Sequence, residues 1–227
     1  MANTIPILLV LSCIFLLGSS RLRVSIRMVA VQGLLLGVLP LLQGDALLRQ
    51  EMWLFSLGSI AVKGIALPWL LLYVLQKMNI RREIEPLISF SASILIGIVL
   101  LGLSCWVALS PRLASGEISP VTLTAALYLV MTGLFLIVSR RKAITQTLGY
   151  LVMENGIYTI GVGIGNEFPF IVEMGVLLDV FVGIFLMGIM MFHIDREFDH
   201  IDTDRFTELS DRITTYESPA EWKEMKS

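Results

Sequence analysis

Charged residues are scarce in this chain, and their scarcity excludes most water-soluble folds. Only 16% of its 227 residues are Asp, Glu, Lys or Arg, while 56% are hydrophobic; a soluble domain carries roughly 25% charged residues. A basic excess is lacking too, since 17 Lys and Arg stand against 19 Asp and Glu. The composition therefore indicates a membrane protein and argues against nucleic acid as a partner.

Metal-binding and redox residues are equally sparse. The two cysteines, Cys13 and Cys105, lie inside apolar runs without a CxxC pair or a histidine at ligand spacing, which favours a packing role. The two histidines, His193 and His200, fall at and beyond the end of the last apolar run. With no Gly-rich phosphate loop either, we expect no metal, iron–sulfur or other cofactor in this chain.

Long apolar runs are what the sequence has in abundance. A bilayer core of about 30 Å needs about 20 mostly apolar residues per helix. The chain offers seven such runs, at residues 4–19, 26–42, 53–75, 86–109, 120–139, 144–164 and 168–193. We therefore predict an all-α, polytopic membrane protein with about seven transmembrane helices, followed by a polar tail at 195–227.

The basic residues predict the orientation in the membrane, because Lys and Arg near helix ends stay on the cytoplasmic side. The first, third and fifth connections hold nine of them, and the second and fourth hold one each. This distribution places the amino terminus outside and the carboxyl tail in the cytoplasm.

Three ionisable residues lie deep inside predicted helices: Lys63, Glu154 and Asp179. A charge at the bilayer centre costs about 2.5 to 3.5 kcal/mol on insertion scales, so each is a candidate functional residue. At about 1.5 Å of rise per residue, all three are expected about 15 Å from the outer surface. Glu173 falls nearer the outer end of the seventh run and is expected to be interfacial.

The residues around this layer add polar groups. Pro68 removes a backbone hydrogen bond one turn after Lys63, which predicts a kink and free polar backbone there. Asn155 and Tyr158 supply hydrogen-bonding side chains beside Glu154. Two interpretations stay open: a proton or ion relay in which Glu154 is the principal residue, or a static buried pair, for instance Lys63 with Asp179, that fixes helix register.

The two halves of the chain share a weak internal repeat. Residues 13–39 and 133–160 both contain an apolar helix, a basic turn and a second helix, which makes Gln32 the counterpart of Glu154 and Lys63 that of Asp179. We therefore predict parallel three-helix units at 1–85 and 120–194. A joining helix and outer loop at 86–119 connect them, and 195–227 forms a cytoplasmic tail.

Three segments carry a resemblance to a known family: GYLVMENGIY, EMGVLLDVFVGIFLMGIMMFHI and the tail FDHIDTDRFTELSDR. The three-helix unit resembles the K chain of respiratory complex I and the C chain of multisubunit sodium/proton antiporters. The whole chain is similar to hydrogenase-4 component E, a family of membrane subunits of group 4 nickel-iron hydrogenase and formate hydrogenlyase complexes.

That resemblance implies a role for individual residues. Glu154 would belong to a chain of charged residues along a membrane arm, and Asp179 would be the polar residue on the following helix. Gln32 departs from the pattern, because a carboxylate would be expected there. Lys63 would still bring a titratable charge to that half.

The resemblance also implies a setting in a prokaryotic inner membrane. The partners would be antiporter-like subunits, an H-like membrane subunit, and hydrogenase large and small subunits that hold the nickel-iron and iron–sulfur centres. This chain would then be a non-catalytic subunit of an oxidoreductase complex. Its charge-rich tail is either freely solvated or, as the resemblance favours, lies against a neighbouring subunit. The alternatives are a static scaffold and an independent small-molecule transporter, the latter disfavoured by the small set of polar groups and the parallel repeat.

Overall fold

The computed structural model describes residues 4–42, 50–77, 87–110 and 118–163, and further along 175, 178–179, 181–185 and 187–188. Every regular segment among these residues is helical, which confirms the predicted all-α class. The chain separates into units at Met1–Leu186 and Met187–Ser227, and all features below lie in the first. Glu173 and the polar tail 195–227 lie outside the described residues.

The helices follow the predicted apolar runs closely. They are α1 (Thr4–Gly18), α2 (Leu22–Val38) with a 3-10 turn (Leu39–Leu42), α3 (Gln50–Ser59), a π-helical segment (Ile60–Ala66), α4 (Leu67–Lys77), α5 (Phe90–Ala108), α6 (Pro120–Ser139) and α7 (Ala143–Gly163). The seventh run contributes helical residues at 175, 178–179 and 181–185, which we call the Asp179 helix.

Local sequence explains several helix ends. The Ser89 hydroxyl accepts a hydrogen bond from the Ala92 backbone N–H and caps α5. Pro120 opens α6 at a position where its missing N–H costs nothing. α6 ends where Arg140 adopts an extended backbone.

Length and composition confirm a polytopic membrane protein. Ser56–Lys77, Phe90–Ala108 and Pro120–Ser139 are each long and apolar enough to span a bilayer, and Thr4–Gly18 is a shorter apolar helix. α5 has an especially open apolar surface, with Trp106 75% and Val99 69% exposed. Such surfaces suit lipid or another transmembrane helix.

Two glycines let the backbones of neighbouring helices come into direct contact. A Cβ at Gly156 would lie 2.7 Å from the Ala126 carbonyl oxygen, so α7 packs directly on the backbone of α6. A Cβ at Gly33 would lie 2.6 Å from the Lys63 carbonyl oxygen, so α2 packs directly on the π-helical segment. Small residues allow such close approach between membrane helices.

The division into two three-helix units remains a prediction.

Candidate functional site: a buried ionic cluster

The structure brings Lys63, Glu154 and Asp179 together. The Lys63 ammonium nitrogen lies 2.5 Å from Glu154 Oε1 and 3.4 Å from Asp179 Oδ2. The three residues are 5%, 2% and 1% exposed, respectively. We call them the ionic cluster. Lys63 pairs with the carboxylates of two different helices. This geometry agrees both with a proton or ion relay and with a static buried pair, the two interpretations that the sequence left open.

The π-helical segment positions the ammonium group. The Leu67 N–H donates to the Val62 carbonyl, a bond one residue wider than in an α-helix, and the segment ends just before Pro68. The disturbance predicted at the proline thus takes the form of a π-helix, with Lys63 inside it. Such segments frequently mark functional positions in helices.

Glu154 stands at the middle of the 21-residue helix α7, with small residues opposite it. A Cβ at Gly175 would lie 3.5 Å from Glu154 Oε1, so the Asp179 helix passes close to this carboxylate. The ring of Tyr158 lies one turn along α7, 5.5 Å from the Lys63 ammonium nitrogen, within the range of a cation–π interaction. The cluster therefore joins the third, sixth and seventh predicted runs.

The charges of the ionic cluster do not balance. Two carboxylates face one ammonium, and both Glu154 Oε2 and Asp179 Oδ1 are buried without a hydrogen-bond partner among the described residues. A fully ionised cluster would carry one uncompensated negative charge, which is costly away from water. The arrangement is thus suited to hold one further positive charge.

A neutral network adjoins the cluster on the side of α1 and α2. Asn155 Nδ2 donates to Gln32 Oε1 at 3.3 Å, and Gln32 Nε2 donates to Ser12 Oγ at 2.7 Å and to Cys13 Sγ at 3.3 Å. Ser12 in turn donates to the Leu9 carbonyl oxygen at 2.6 Å. Amide groups hold neighbouring side chains in place by hydrogen bonds but do not readily exchange protons. This network therefore positions α1, α2 and α7 relative to one another.

Two residues make contacts that the sequence did not indicate. Arg140, one of the nine basic residues in the first, third and fifth connections, is buried: it donates to the Leu17 carbonyl oxygen at 3.2 Å and to Ser93 Oγ at 3.4 Å, and stacks 4.6 Å from the Phe90 ring centroid. It ties α6 to α1 and α5. Cys13 was expected to be apolar filler, yet its sulfur accepts a hydrogen bond from Gln32.

The sequence analysis did not single out two further residues, one in the neutral network and one beside the ionic cluster. Ser12 carried no signal, because a lone serine in an apolar helix is common. Tyr150 did carry one, since it stands one turn before Glu154 on the same face of α7. Within the described part of the chain, no group of three or more His, Cys, Asp or Glu side chains converges on a metal position.

The fold and the site define a class: a polytopic α-helical membrane protein with an ionic cluster buried at mid-helix. Sequence relatives add to this. The chain is 29% identical to the uncharacterized protein Rv0085 of Mycobacterium tuberculosis over 209 residues, covering 89% of this chain and 93% of the relative. It is 23% identical to hydrogenase-4 component E of Escherichia coli K12, covering 91% of this chain and 96% of the relative, and equally to that of Shigella flexneri.

The chain is therefore a distant homologue of hydrogenase-4 component E over most of its length. No family model matches it, and no solved structure matches it. The likeness to the K chain of complex I and to the antiporter C chain remains a prediction.

Proposed function

We propose that this chain is a non-catalytic membrane subunit of a hydrogenase-like complex. The homology to hydrogenase-4 component E over most of both chains supports this assignment. The further partners would be antiporter-like subunits, an H-like membrane subunit, and hydrogenase large and small subunits holding the nickel-iron and iron–sulfur centres. The orientation proposed from the basic residues puts the amino terminus outside and the tail in the cytoplasm.

Within that complex, the ionic cluster would act as a station on a lateral proton or ion path. The observation that carries this proposal is the sharing of one buried ammonium by two carboxylates from different helices. When all three groups are ionised, the cluster carries one negative charge in excess. It can therefore take up and release a proton or another monovalent cation while every other charged group of the protein keeps its state. Glu154 is the carboxylate that we expect to be the principal carrier, because it stands at the middle of α7 and its second oxygen is buried without a hydrogen-bond partner among the described residues.

The experiment is Glu154→Gln in inverted membrane vesicles that contain the whole complex. A glutamine keeps the shape but cannot bind or release a proton at neutral pH. We expect ion movement per turnover to fall by at least about tenfold, with electron transfer and assembly retained. Ser104→Ala, a buried change on α5 whose hydroxyl donates to the Leu100 carbonyl oxygen of its own helix, is the matched control.

Parallel measurements of pH change and radioactive sodium uptake identify the ion. Unchanged ion movement in an assembled Glu154→Gln complex would exclude the path through this cluster.

The second candidate is a static scaffold, favoured by the 2.5 Å contact between Lys63 and Glu154. In that case the pair fixes how the helices assemble and carries nothing. The exchange variant Lys63→Glu with Glu154→Lys distinguishes the two: a scaffold keeps both assembly and ion movement, whereas a path keeps assembly and loses ion movement.

A further inference from the structure

The face of α7 that carries Glu154 has a polar residue at each of two turns toward its amino end. Tyr150 stands four residues before Glu154 and is half-buried, and Gln146 stands four residues earlier and is exposed. Residues four apart are neighbours on a helix surface. The series runs from the exposed amino end of α7, beside the basic turn, to the buried carboxylate.

Along this face of α7, half-buried Tyr150 stands between exposed Gln146 and buried Glu154, one turn from each. A tyrosine hydroxyl donates one hydrogen bond and accepts others. It can thus link water at the amino end of α7 to the carboxylates without being ionised itself.

Toward the carboxyl end of α7, the described residues on this face are buried. Tyr158 is buried, with the Lys63 ammonium over its ring, and Ser59, the residue before the π-helical segment, is buried as well. Val162 continues this face of α7 and is also buried. The two sides of the cluster therefore differ in exposure: polar residues become exposed toward the amino end of α7 and stay buried toward its carboxyl end.

We propose that Tyr150 forms the entrance of a one-sided access route, through which water and protons reach the ionic cluster from the amino end of α7. On the other side of the cluster, among the described residues of α7, Tyr158 and Val162 are buried and offer no such entrance. The route can exist whatever the chain does, but its use for ion movement rests on the proposed function.

The test is accessibility of single cysteines in the assembled complex, with Cys13→Ala and Cys105→Ala as background. Tyr150→Cys is compared with Gln146→Cys as the exposed control and Val162→Cys as the buried control. A membrane-impermeant maleimide is added to right-side-out and to inverted vesicles, and the labelling rate is followed by mass shift.

On the face where Gln146→Cys reacts, we expect Tyr150→Cys to react about tenfold faster than Val162→Cys, because thiol modification follows solvent access. Equal rates for Tyr150→Cys and Val162→Cys on that face, or labelling of Tyr150→Cys only from the opposite face, overturn the access route. If labelling is as expected while Glu154→Gln leaves ion movement intact, the route stands and the proposed function fails.

Discussion

Replacing Lys63 by methionine tests the charge arrangement of the ionic cluster directly. Methionine keeps most of the side-chain volume but removes the ammonium group, whose nitrogen lies 2.5 Å from one carboxylate and 3.4 Å from the other. Two buried carboxylates then face each other without a cation. Removing one partner of a buried pair costs about 3 to 5 kcal/mol, mostly because the remaining charge stays uncompensated.

Asp179→Asn should behave very differently. It removes a negative charge from a cluster that has one too many, so the remaining Lys63 and Glu154 pair is neutral. We expect a change in the free energy of unfolding within about 1 kcal/mol of zero. The double variant Lys63→Met with Glu154→Gln should recover part of the loss caused by Lys63→Met alone, since it removes the repulsion between two carboxylates but leaves one of them without a cation.

The assay is equilibrium unfolding of the purified protein in mixed detergent micelles, followed by circular dichroism. Lys77→Met, at the exposed end of α4, is the matched control and should leave stability unchanged. If Lys63→Met is as stable as Lys77→Met, or if Asp179→Asn is the more damaging change, the charge argument is refuted.

Two packing predictions follow from the buried contacts. Gly156→Val should destabilise the protein by about 1 to 3 kcal/mol or more, because the new Cβ meets the backbone of α6; Gly102→Val, with open space around it, should not lower the melting temperature in the same detergent. Arg140→Met should cost about 1.5 to 3 kcal/mol through loss of the hydrogen bond to the Leu17 carbonyl, measured against Arg23→Met at an exposed position. An Arg140→Met protein as stable as its control would contradict the bonded role of that side chain.

The sequence predicted the helices well, because length and apolar character act along one helix at a time. Pro120–Ser139 was predicted to the residue, and Lys63, Glu154 and Asp179 were expected at one depth. Rise per residue fixes depth but not rotation, so the sequence could not decide which carboxylate the lysine approaches. Which carboxylate the lysine approaches depends on how the helices pack. Glycine contacts, such as that of Gly33 with the π-helical segment, determine this packing.

Arg140 illustrates a different limit. A basic residue in a turn after an apolar helix is usually solvated, and the positive-inside pattern counts it without regard to burial. Its partners include a backbone carbonyl on α1, far away in sequence. The sequence predicted only a kink near Pro68, not a π-helical segment. A missing backbone hydrogen bond shows where a helix is disturbed, but it does not show which hydrogen-bonding pattern the backbone adopts there.

The position of Glu154 halfway along α7 has an electrical consequence. A cation that enters from one face and stops at mid-helix crosses about half of the membrane voltage, which amounts to about 1.1 kcal/mol per 100 mV. Occupancy of the cluster would then change about sevenfold for each 100 mV imposed across the vesicle. A potassium diffusion potential set with valinomycin measures this dependence, and voltage-independent loading would place the binding position at the membrane surface instead.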